Sequence, residues 1–413
     1  MPPHPTLASS LAAIACAATL AACAPSVDRA PVDDAPQDFP SPAAVHSGEP
    51  FLSTDSNSGV HLSWLERTGD STVALRYASL NGQRWSPATT IAERRDFFVN
   101  WADFPSVTAT STGALIAHWL QRRPGGKYSY DVMIARSADS GRTWSDGRLL
   151  NRDGVAAEHG FVATWPMTDG TVEAAWLDGR GTATTDESTR AMSVATATIA
   201  ADGSLGPEQL LDTRTCDCCQ VAATLTSRGP VIAYRDRTED EVRDIAVVRR
   251  VGDRWSEPRI VHDDHWQIAA CPVNGPALAS RGDTVVIAWF TGAQDTARVQ
   301  VAYSTDAGAT FGAPQRIDDG KPAGRVDVEL LDDGSAAVSW LERTDSTDAQ
   351  VRLRRVRRDG TAGTAITLAR AVGTRASGFP RLARRGGELF AAWTQPGDSA
   401  RVRLTRFKLE GLP

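Results

Sequence analysis

The sequence contains little lysine. Only positions 127, 321 and 408 carry Lys, so almost all of the 44 basic residues are Arg. The formal net charge of the 413-residue chain is −6, and charge of both signs is spread evenly along it. This excludes the basic patch by which a nucleic-acid-binding domain is recognised. Because a guanidinium group binds anions through two parallel hydrogen bonds, the function of each Arg has to be argued at its own position.

Long apolar runs are also missing. The one extended apolar segment, residues 7–20, is too short for a permanent membrane span and is typical of a secretory signal peptide. It ends in Leu20-Ala-Ala-Cys23, which resembles a bacterial lipobox. We therefore expect a signal peptide at residues 1–22, a lipid on Cys23 and a flexible Pro/Asp/Ala-rich tether over residues 23–37. Since Ala24 rather than Asp follows the cysteine, the expected location is the outer membrane, with membrane attachment through the lipid alone.

The rest of the chain, residues 38–413, is built from repeats. Residues 105–150 contain four short alternating or apolar segments separated by turn residues, which predicts four strands. An aromatic residue ends the second strand of every repeat, at spacings of 51 to 58 residues: Trp64, Trp119, Trp176, Tyr234, Trp289, Trp340 and Trp393. Self-similarity at this period predicts a propeller or solenoid. We predict an all-β propeller of seven four-stranded blades, with six blades plus an appended hairpin as the alternative.

The last repeat, residues 378–409, has only three strands. The segment from Phe39 to Val45 matches the segment from Trp85 to Ile91, where a fourth strand begins. We therefore predict that an N-terminal strand completes the last blade. A ring closed in this way leaves no open sheet edge between the chain ends, and we expect a monomer.

A tight turn precedes the fourth strand of the second repeat. In Ser137-Ala-Asp139-Ser-Gly141-Arg-Thr143-Trp144, Asp139 can accept hydrogen bonds from the following backbone, and Gly141 supplies a position with positive φ. Trp144 is expected to bury its ring between neighbouring blades. The same pattern recurs at Ser304, Asp306, Gly308 and Phe311.

This Ser-x-Asp-x-Gly-x-Thr-Trp/Phe pattern resembles the Asp-box (BNR) repeat of the sialidase superfamily. The resemblance implies a β-propeller with the motif away from the active site. It also implies three Arg that hold the carboxylate of sialic acid, a Tyr nucleophile assisted by a Glu, and an Asp acid. The early Arg-Ile-Pro signature of sialidases is absent from the first repeat.

In a propeller, the loops after second strands and the loops leading into first strands open on one face. Candidate substrate-binding residues on that face are Arg67, Arg122, Arg180, Arg235, Arg237, Arg325, Arg343, Trp101 and Asn274. The alternative is that the repeated Glu-Arg and Asp-Arg pairs are ion pairs between blades. Tyr234 is the candidate nucleophile, with core packing as its alternative role. The candidate acids are Asp103, Glu158, Asp178 and Asp236.

Four cysteines follow Cys23, and all lie in loops of the same predicted face: Cys216, Cys218, Cys219 and Cys271. An even number in an oxidising compartment favours disulfides, one of which would tie Cys271 to the 216–219 loop. The alternatives are a soft-metal site for copper or zinc, with His159, His262 or His265 nearby, and a redox-active pair. The loop segments that contain these four cysteines also resemble uncharacterised sialidase-like bacterial lipoproteins. The glycosidase function that the resemblance implies requires no cofactor.

Three functions follow from these observations. The first is an exo-glycosidase that acts on sialic-acid-like anionic glycans at the propeller pore. The second is a non-catalytic propeller that binds an anionic glycan or an envelope protein, because fold alone does not decide function. The third is a metal- or thiol-handling lipoprotein centred on the cysteines.

Overall fold

The structure is a computed structural model that describes residues 1–3, 35–124, 126–186 and 189–413. The chain divides into two units, Met1–Asp33 and Asp34–Pro413, and the fold described below is that of the second. The predicted signal peptide and lipidated Cys23 lie outside the described residues. In the described part of the chain, no helix has the length and apolar character needed to cross a membrane.

Thirty strands in the described residues form seven antiparallel sheets. The first described strand is β1 (Gln37–Phe39), and the first blade follows with β2 (Ser47–Thr54), β3 (Val60–Arg67), β4 (Val73–Asn81), β5 (Arg84–Trp85) and β6 (Thr89–Arg94). The second blade contains β7 (Ser106–Ala109), β8 (Leu115–Arg122), β9 (Tyr130–Ser137) and β10 (Arg148–Leu149). The third contains β11 (His159–Pro166), β12 (Val172–Asp178), β13 (Met192–Ile199) and β14 (Gln209–Thr215).

The remaining blades repeat this order. The fourth contains β15 (Ala222–Thr226), β16 (Gly229–Arg235), β17 (Ile245–Val251), β18 (Arg254–Trp255) and β19 (Arg259–Ile260). The fifth contains β20 (Ala277–Arg281), β21 (Thr284–Thr291), β22 (Arg298–Ser304) and β23 (Gln315–Arg316), and the sixth β24 (Pro322–Leu330), β25 (Ala336–Arg343), β26 (Asp348–Val356) and β27 (Ile366–Val372). The seventh contains β28 (Arg381–Arg385), β29 (Glu388–Gln395) and β30 (Arg401–Lys408). The described residues also form four 3-10 helices, at Gly179–Ala183, Ala293–Asp295, Arg375–Ser377 and Leu409–Gly411.

The sheets are arranged in a closed ring. Each innermost strand contacts the innermost strands of the two neighbouring blades, and β2 contacts β28 of the last blade. The second strand of each blade lies between neighbouring sheets and is largely buried on both faces, as in β12, where all seven residues, including Glu173 and Asp178, are buried. The second-strand aromatics predicted from the repeat are buried in every blade. The seven-bladed prediction is confirmed, and the six-bladed alternative is excluded.

The N-terminal strand completes the last blade. β1 pairs antiparallel with β30, placing Gln37 opposite Arg406 and Phe39 opposite Leu404. The Phe39 ring meets Phe390 edge-on, with the ring centroids 5.3 Å apart. The predicted closing strand is therefore confirmed, although it occupies residues 37–39 and is shorter than the segment of matching sequence.

The Asp-box turn forms the expected hydrogen bonds. The Asp139 carboxylate accepts from Thr143 N (2.9 Å) and Oγ1 (2.7 Å) and from Ser137 Oγ (2.8 Å). These donors hold the pKa of Asp139 down at about 2. Gly141 has φ 84° and lies against the ring of Tyr77 in the first blade, which Trp144 meets edge-on at 5.7 Å. Asp306 makes the same bonds to Ser304 and Thr310.

Candidate functional site

A recurring hydrogen bond explains the acidic residue that follows several second-strand tryptophans. The indole N–H of Trp64 donates to Glu66 (3.1 Å), that of Trp176 to Asp178 (2.9 Å) and that of Trp340 to Glu342 (2.6 Å). In each case the carboxylate lies two residues after the tryptophan and satisfies a buried donor. Part of the Glu-Arg and Asp-Arg pattern is therefore a device for holding the blade aromatics.

Three innermost strands contain a β-bulge near the end that lies on the predicted binding face, where the loops leading into first strands are found. The register shifts after Gly48 in β2, after Gly160 in β11 and after Gly324 in β24. The residue after each glycine has a positive φ: Glu49 (50°), Phe161 (54°) and Arg325 (55°). A bulge re-aims a side chain, and non-glycine residues in this conformation cluster at functional sites. All three side chains line cavities of the face.

The largest of these cavities, which we call the basin, encloses about 1300 Å³ including space open to solvent. Its wall combines aromatic, acidic and basic groups with the paired cysteines: Phe98, Trp101, Arg122, Lys127, Tyr128, Glu158, Phe161, Asp217, Cys218, Cys271, Val273 and Arg375. The basin therefore gathers the loops that lead into several blades, as predicted for one face of a propeller.

An acidic cluster lies at one side of the basin. The Tyr130 hydroxyl lies 2.6 Å from Glu158 Oε1 and 3.2 Å from Asp103 Oδ2, and Phe161 N donates to Asp103 Oδ1 at 2.7 Å. Gly160 provides room, because a Cβ there would overlap the Asp103 carboxylate and the Tyr130 ring. Burial raises the pKa of Glu158 to about 7, to which the negative charge of Asp217 contributes.

Asp103 is almost fully buried, and burial raises its pKa well above the usual range, with the Glu158 charge contributing. The Tyr130 hydroxyl has one proton for two carboxyl acceptors. Burial raises the pKa of both carboxyl groups and so favours their protonated forms. The cluster is thus a buried proton-holding group with Glu158 at the basin wall.

Three guanidinium groups line the adjoining cavity, which we call the arginine pocket: Arg325, Arg343 and Arg375, together with Trp101 and Asn274. Arg325 lies over the Trp101 ring at 4.7 Å and donates to Thr374 O (2.9 Å) and Gly378 O (3.0 Å). Burial lowers the pKa of Arg325 to about 10, helped by the positive charges of Arg343 and Arg375.

Within the described residues, no carboxylate forms an ion pair with any of these three guanidinium groups. Three neighbouring positive charges without a counterion form a strong site for an anion. The arginine pocket and the basin share Trp101, Cys271, Val273 and Arg375, so the two cavities lie side by side. Asn274 has a structural role in the pocket, because its Oδ1 accepts a hydrogen bond from the backbone N–H of Arg325 at 2.7 Å.

The other predicted arginines have partners of their own. Arg235 is buried and donates to the carbonyl oxygens of Asn274, Arg243 and Phe290. Arg180 pairs with Asp178 (2.7 Å) and Glu208 (2.6 Å).

Three further members of the set lie in different surroundings. Arg237 pairs with Asp217 (3.0 Å) and Glu241 (2.6 Å). Arg122 lies over the Phe98 ring at the basin wall, and Arg67 is exposed beside a separate cavity that contains Glu49. Of the predicted arginines, Arg325 and Arg343 reach the arginine pocket. Arg375, which also lines this pocket, was not among the predicted arginines.

Several predicted catalytic residues lie away from the basin. Tyr234 is buried in the fourth blade, where its hydroxyl donates to Asp212 at 2.7 Å, and burial raises its pKa. Asp178 is fully buried beside Trp176. Burial raises the pKa of Asp236 to about 6, but its carboxyl does not line the basin. The tyrosine that the structure brings to a glutamate is Tyr130, which no sequence feature distinguished from an ordinary first residue of a third strand.

The four cysteines lie close together, and two of them, Cys218 and Cys271, line the basin. Cys218 and Cys271 form a disulfide, and Cys216 Sγ lies 4.0 Å from Cys218 Sγ. Cys216 and Cys219 are buried and free. The Sγ atoms of Cys216, Cys218 and Cys219 all lie within 4.8 Å of one another.

The predicted histidine ligands do not join the cysteines. His159 is buried with Asp153 and Asp178, and these three form a second group close enough to hold one ion. His262 lies 3.8 Å from Asp264, and His265 donates its backbone N–H to Asp244. A metal at the cysteines would therefore be held by sulfur.

Comparison with known proteins supports the fold. No protein-family model matches the chain, and none of the curated proteins matches it. A Dyadobacter fermentans protein of unknown function is 14% identical, with 90% of this chain and 97% of that chain covered and a TM-score of 0.52. The NanB sialidase of Streptococcus pneumoniae, as its K499G mutant, is 10% identical over 92% and 94%, with a TM-score of 0.50.

A GH93 α-L-arabinofuranosidase of Fusarium graminearum, in complex with arabinobiose, is 13% identical over 92% and 97%, also with a TM-score of 0.50. At these identities the likeness establishes the fold. The expected propeller is confirmed, and a sialidase and an arabinofuranosidase are among the proteins with a similar fold.

Proposed function

We propose that this chain is a glycan-active propeller that binds an anionic sugar at the basin and cleaves its glycosidic linkage as a glycoside hydrolase or lyase. The observation that carries the proposal is the arginine pocket, with its three guanidinium groups, next to the acidic cluster of Glu158, Tyr130 and Asp103. A sialic or uronic acid has the matching chemistry, because a carboxylate lies close to its reacting carbon.

In the binding step, the sugar carboxylate would occupy the arginine pocket. Arg325 already has two of its donors fixed by Thr374 O and Gly378 O, so its guanidinium plane is oriented before any ligand arrives. Arg343 and Arg375 are exposed and free to turn towards the anion. A preorganised cation beside two adaptable ones favours bidentate recognition of a carboxylate at low ordering cost.

In the chemical step, Glu158 would act as the general acid or base. A carboxyl group with a pKa of about 7 is present in both protonation states at neutral pH, which suits proton transfer to or from a glycosidic oxygen. Tyr130 is a positioning residue, since its hydroxyl is buried and fixes the Glu158 carboxyl at 2.6 Å. Asp103 holds the other side of that hydroxyl.

The test uses the purified protein without the predicted signal peptide. Fluorescent sialosides and uronides serve as substrates, and free sialic and glucuronic acid serve as ligands. Glu158→Gln should abolish turnover and keep binding. Arg375→Ala should weaken binding about tenfold or more through loss of a charge-assisted contact. Arg67→Ala is the matched control, because Arg67 is an exposed Arg of a separate cavity on the same face.

Binding without turnover would favour the alternative of a non-catalytic propeller that binds an anionic glycan or an envelope protein. Absence of both binding and turnover, or equal loss of binding in Arg375→Ala and Arg67→Ala, would overturn the proposal.

We also propose that Cys23 carries a lipid that attaches the protein to the outer membrane. The support is the Leu20-Ala-Ala-Cys23 sequence after an apolar segment. Metabolic labelling with a radioactive fatty acid should mark the wild-type protein and not Cys23→Ser. Equal labelling of both would contradict the assignment.

A further inference from the structure

The four cysteines form a graded series from the protein interior to the basin. Cys216 and Cys219 are buried, Cys218 is half-buried and Cys271 is exposed at the basin wall. The Cys218–Cys271 pair joins the loop before the fourth blade to the loop before the fifth. A free, buried sulfur thus lies directly behind a pair whose outer member reaches solvent.

The surroundings of Cys216 favour a thiolate. Arg243 donates from Nη1 to Cys216 Sγ at 3.5 Å, and Arg235 is a buried guanidinium whose own hydrogen bonds go to carbonyl oxygens. Burial alone would raise the pKa of Cys216. The hydrogen bond from Cys219, a backbone donor and the two positive charges outweigh burial and lower that pKa to about 7.

We propose that Cys216 attacks the Cys218–Cys271 disulfide in an internal thiol–disulfide exchange that releases Cys271 as a free thiol in the basin. The Cys216 thiolate forms a bond to Cys218 Sγ, 4.0 Å away. The bond from Cys218 to Cys271 breaks, and Cys271 leaves as a thiolate that takes up the proton lost by Cys216. The exchange conserves one disulfide and one thiol, so it needs no external oxidant or reductant.

The exchange converts a link between two loops into a link within one loop. In the first state the loops leading into blades four and five are tied together, and in the second they are free to separate. The released Cys271 thiol lies beside Trp101 and Val273 at the junction of the basin and the arginine pocket. It is then the site at which a small disulfide or another thiol-reactive molecule forms an adduct.

The experiment traps the released thiol in the native, oxidised protein with N-ethylmaleimide and identifies the products by peptide mapping without reduction. The expected product carries the label on Cys271 together with a Cys216–Cys218 cross-link. Its rate of formation should become independent of maleimide concentration at high concentration, because the internal exchange precedes trapping. This kinetic signature requires no variant.

Two variants sharpen the test. Cys216→Ser should reduce labelling of Cys271 at least tenfold, because the attacking sulfur is gone. Cys219→Ser is the matched control, since serine keeps a hydrogen-bond donor for Cys216, and it should retain labelling within about twofold. Thermal melting of both variants reports whether the fold is kept.

Three outcomes would overturn the proposal. One is equal labelling of Cys271 in wild type and Cys216→Ser, and another is a wild-type protein that is never labelled at Cys271. The third is four free thiols in the denatured, unreduced protein together with stoichiometric copper or zinc, which would assign the cluster to a soft metal held by sulfur.

Discussion

The Tyr130 hydroxyl donates a hydrogen bond to Oε1 of Glu158 over 2.6 Å. Tyr130 begins the third strand of the second blade, whereas Glu158 lies in the loop that leads into the third blade. This bond therefore couples two blades at the wall of the basin, and it favours the ionised form of the carboxyl group to which we assign proton transfer, against the effect of burial.

Replacing Tyr130 with Phe removes a donor that favours the ionised form of Glu158. We expect the Glu158 pKa to rise from about 7 by about one unit, since a hydrogen bond to a charged group contributes about 1.5 kcal/mol. Carboxyl NMR of the protein, and the pH dependence of any glycan turnover, should both show the shift. Tyr128→Phe is the control, because Tyr128 is exposed in the same basin, and an equal shift in that variant would contradict the assignment.

Phe39 secures the strand that closes the ring. Phe39→Ala should lower the free energy of unfolding by about 3 kcal/mol, because a buried ring that packs on Phe390 and Trp85 is lost. Thermal and urea unfolding measure the change. In Asp38→Ala, which removes only an exposed ion pair with Arg403, unfolding should stay close to that of the wild type. Similar curves for wild type and Phe39→Ala would show that closure does not depend on this ring.

Alanine substitutions at Gly141 and Gly113 distinguish the cost of backbone strain from the cost of steric overlap with a neighbouring side chain. Both have a φ near 85°, but a Cβ on Gly141 would overlap the Tyr77 ring, whereas a Cβ on Gly113 meets nothing within 4 Å. Gly113→Ala should therefore cost roughly 1 kcal/mol, and Gly141→Ala roughly 3 kcal/mol. Equal losses in chemical denaturation would mean that the contact between the Asp-box turn and the first blade is not tight.

Glu329 makes the free energy of unfolding depend on pH. Burial raises its pKa from 4.5 to about 8, with the Asp327 charge contributing. Between these values the folded protein binds more protons than the unfolded chain, so stability is fully present below pH 4.5 and falls as the pH rises towards 8. In Glu329→Gln the fall between pH 5 and 8 should be smaller by on the order of 2 kcal/mol. An unchanged pH profile of the melting temperature would contradict this.

The repeat could be predicted from the sequence because each blade needs one large aromatic at the same structural position. The spacing from Trp64 to Trp393 therefore gave the blade number, and the unmatched last repeat pointed to β1. The Asp-box turns were predictable for a similar reason, because their hydrogen bonds lie within eight residues of one another.

The site could be predicted only in part. Loop position placed Glu158, Asp103 and Arg325 on the correct face, since all loops of one kind open there. It could not distinguish Arg325, which a bulge turns into a cavity, from Arg235, which points into the protein and binds carbonyl oxygens. The second strands are largely buried on both faces, so no apolar–polar alternation indicates side-chain direction at their ends. Tyr130 and Arg375 were missed because their importance arises from partners in other blades.

The pairing of β1 with β30 also bears on how the protein is made. Residues 37–39 leave the ribosome long before residues 404–406, their partners in the last sheet. During synthesis the early strand must remain unpaired while six blades assemble, and the ring can lock only when nearly the whole polypeptide is present. A truncated or stalled chain would therefore expose both the early segment and the edge it normally covers, and would be open to proteolysis.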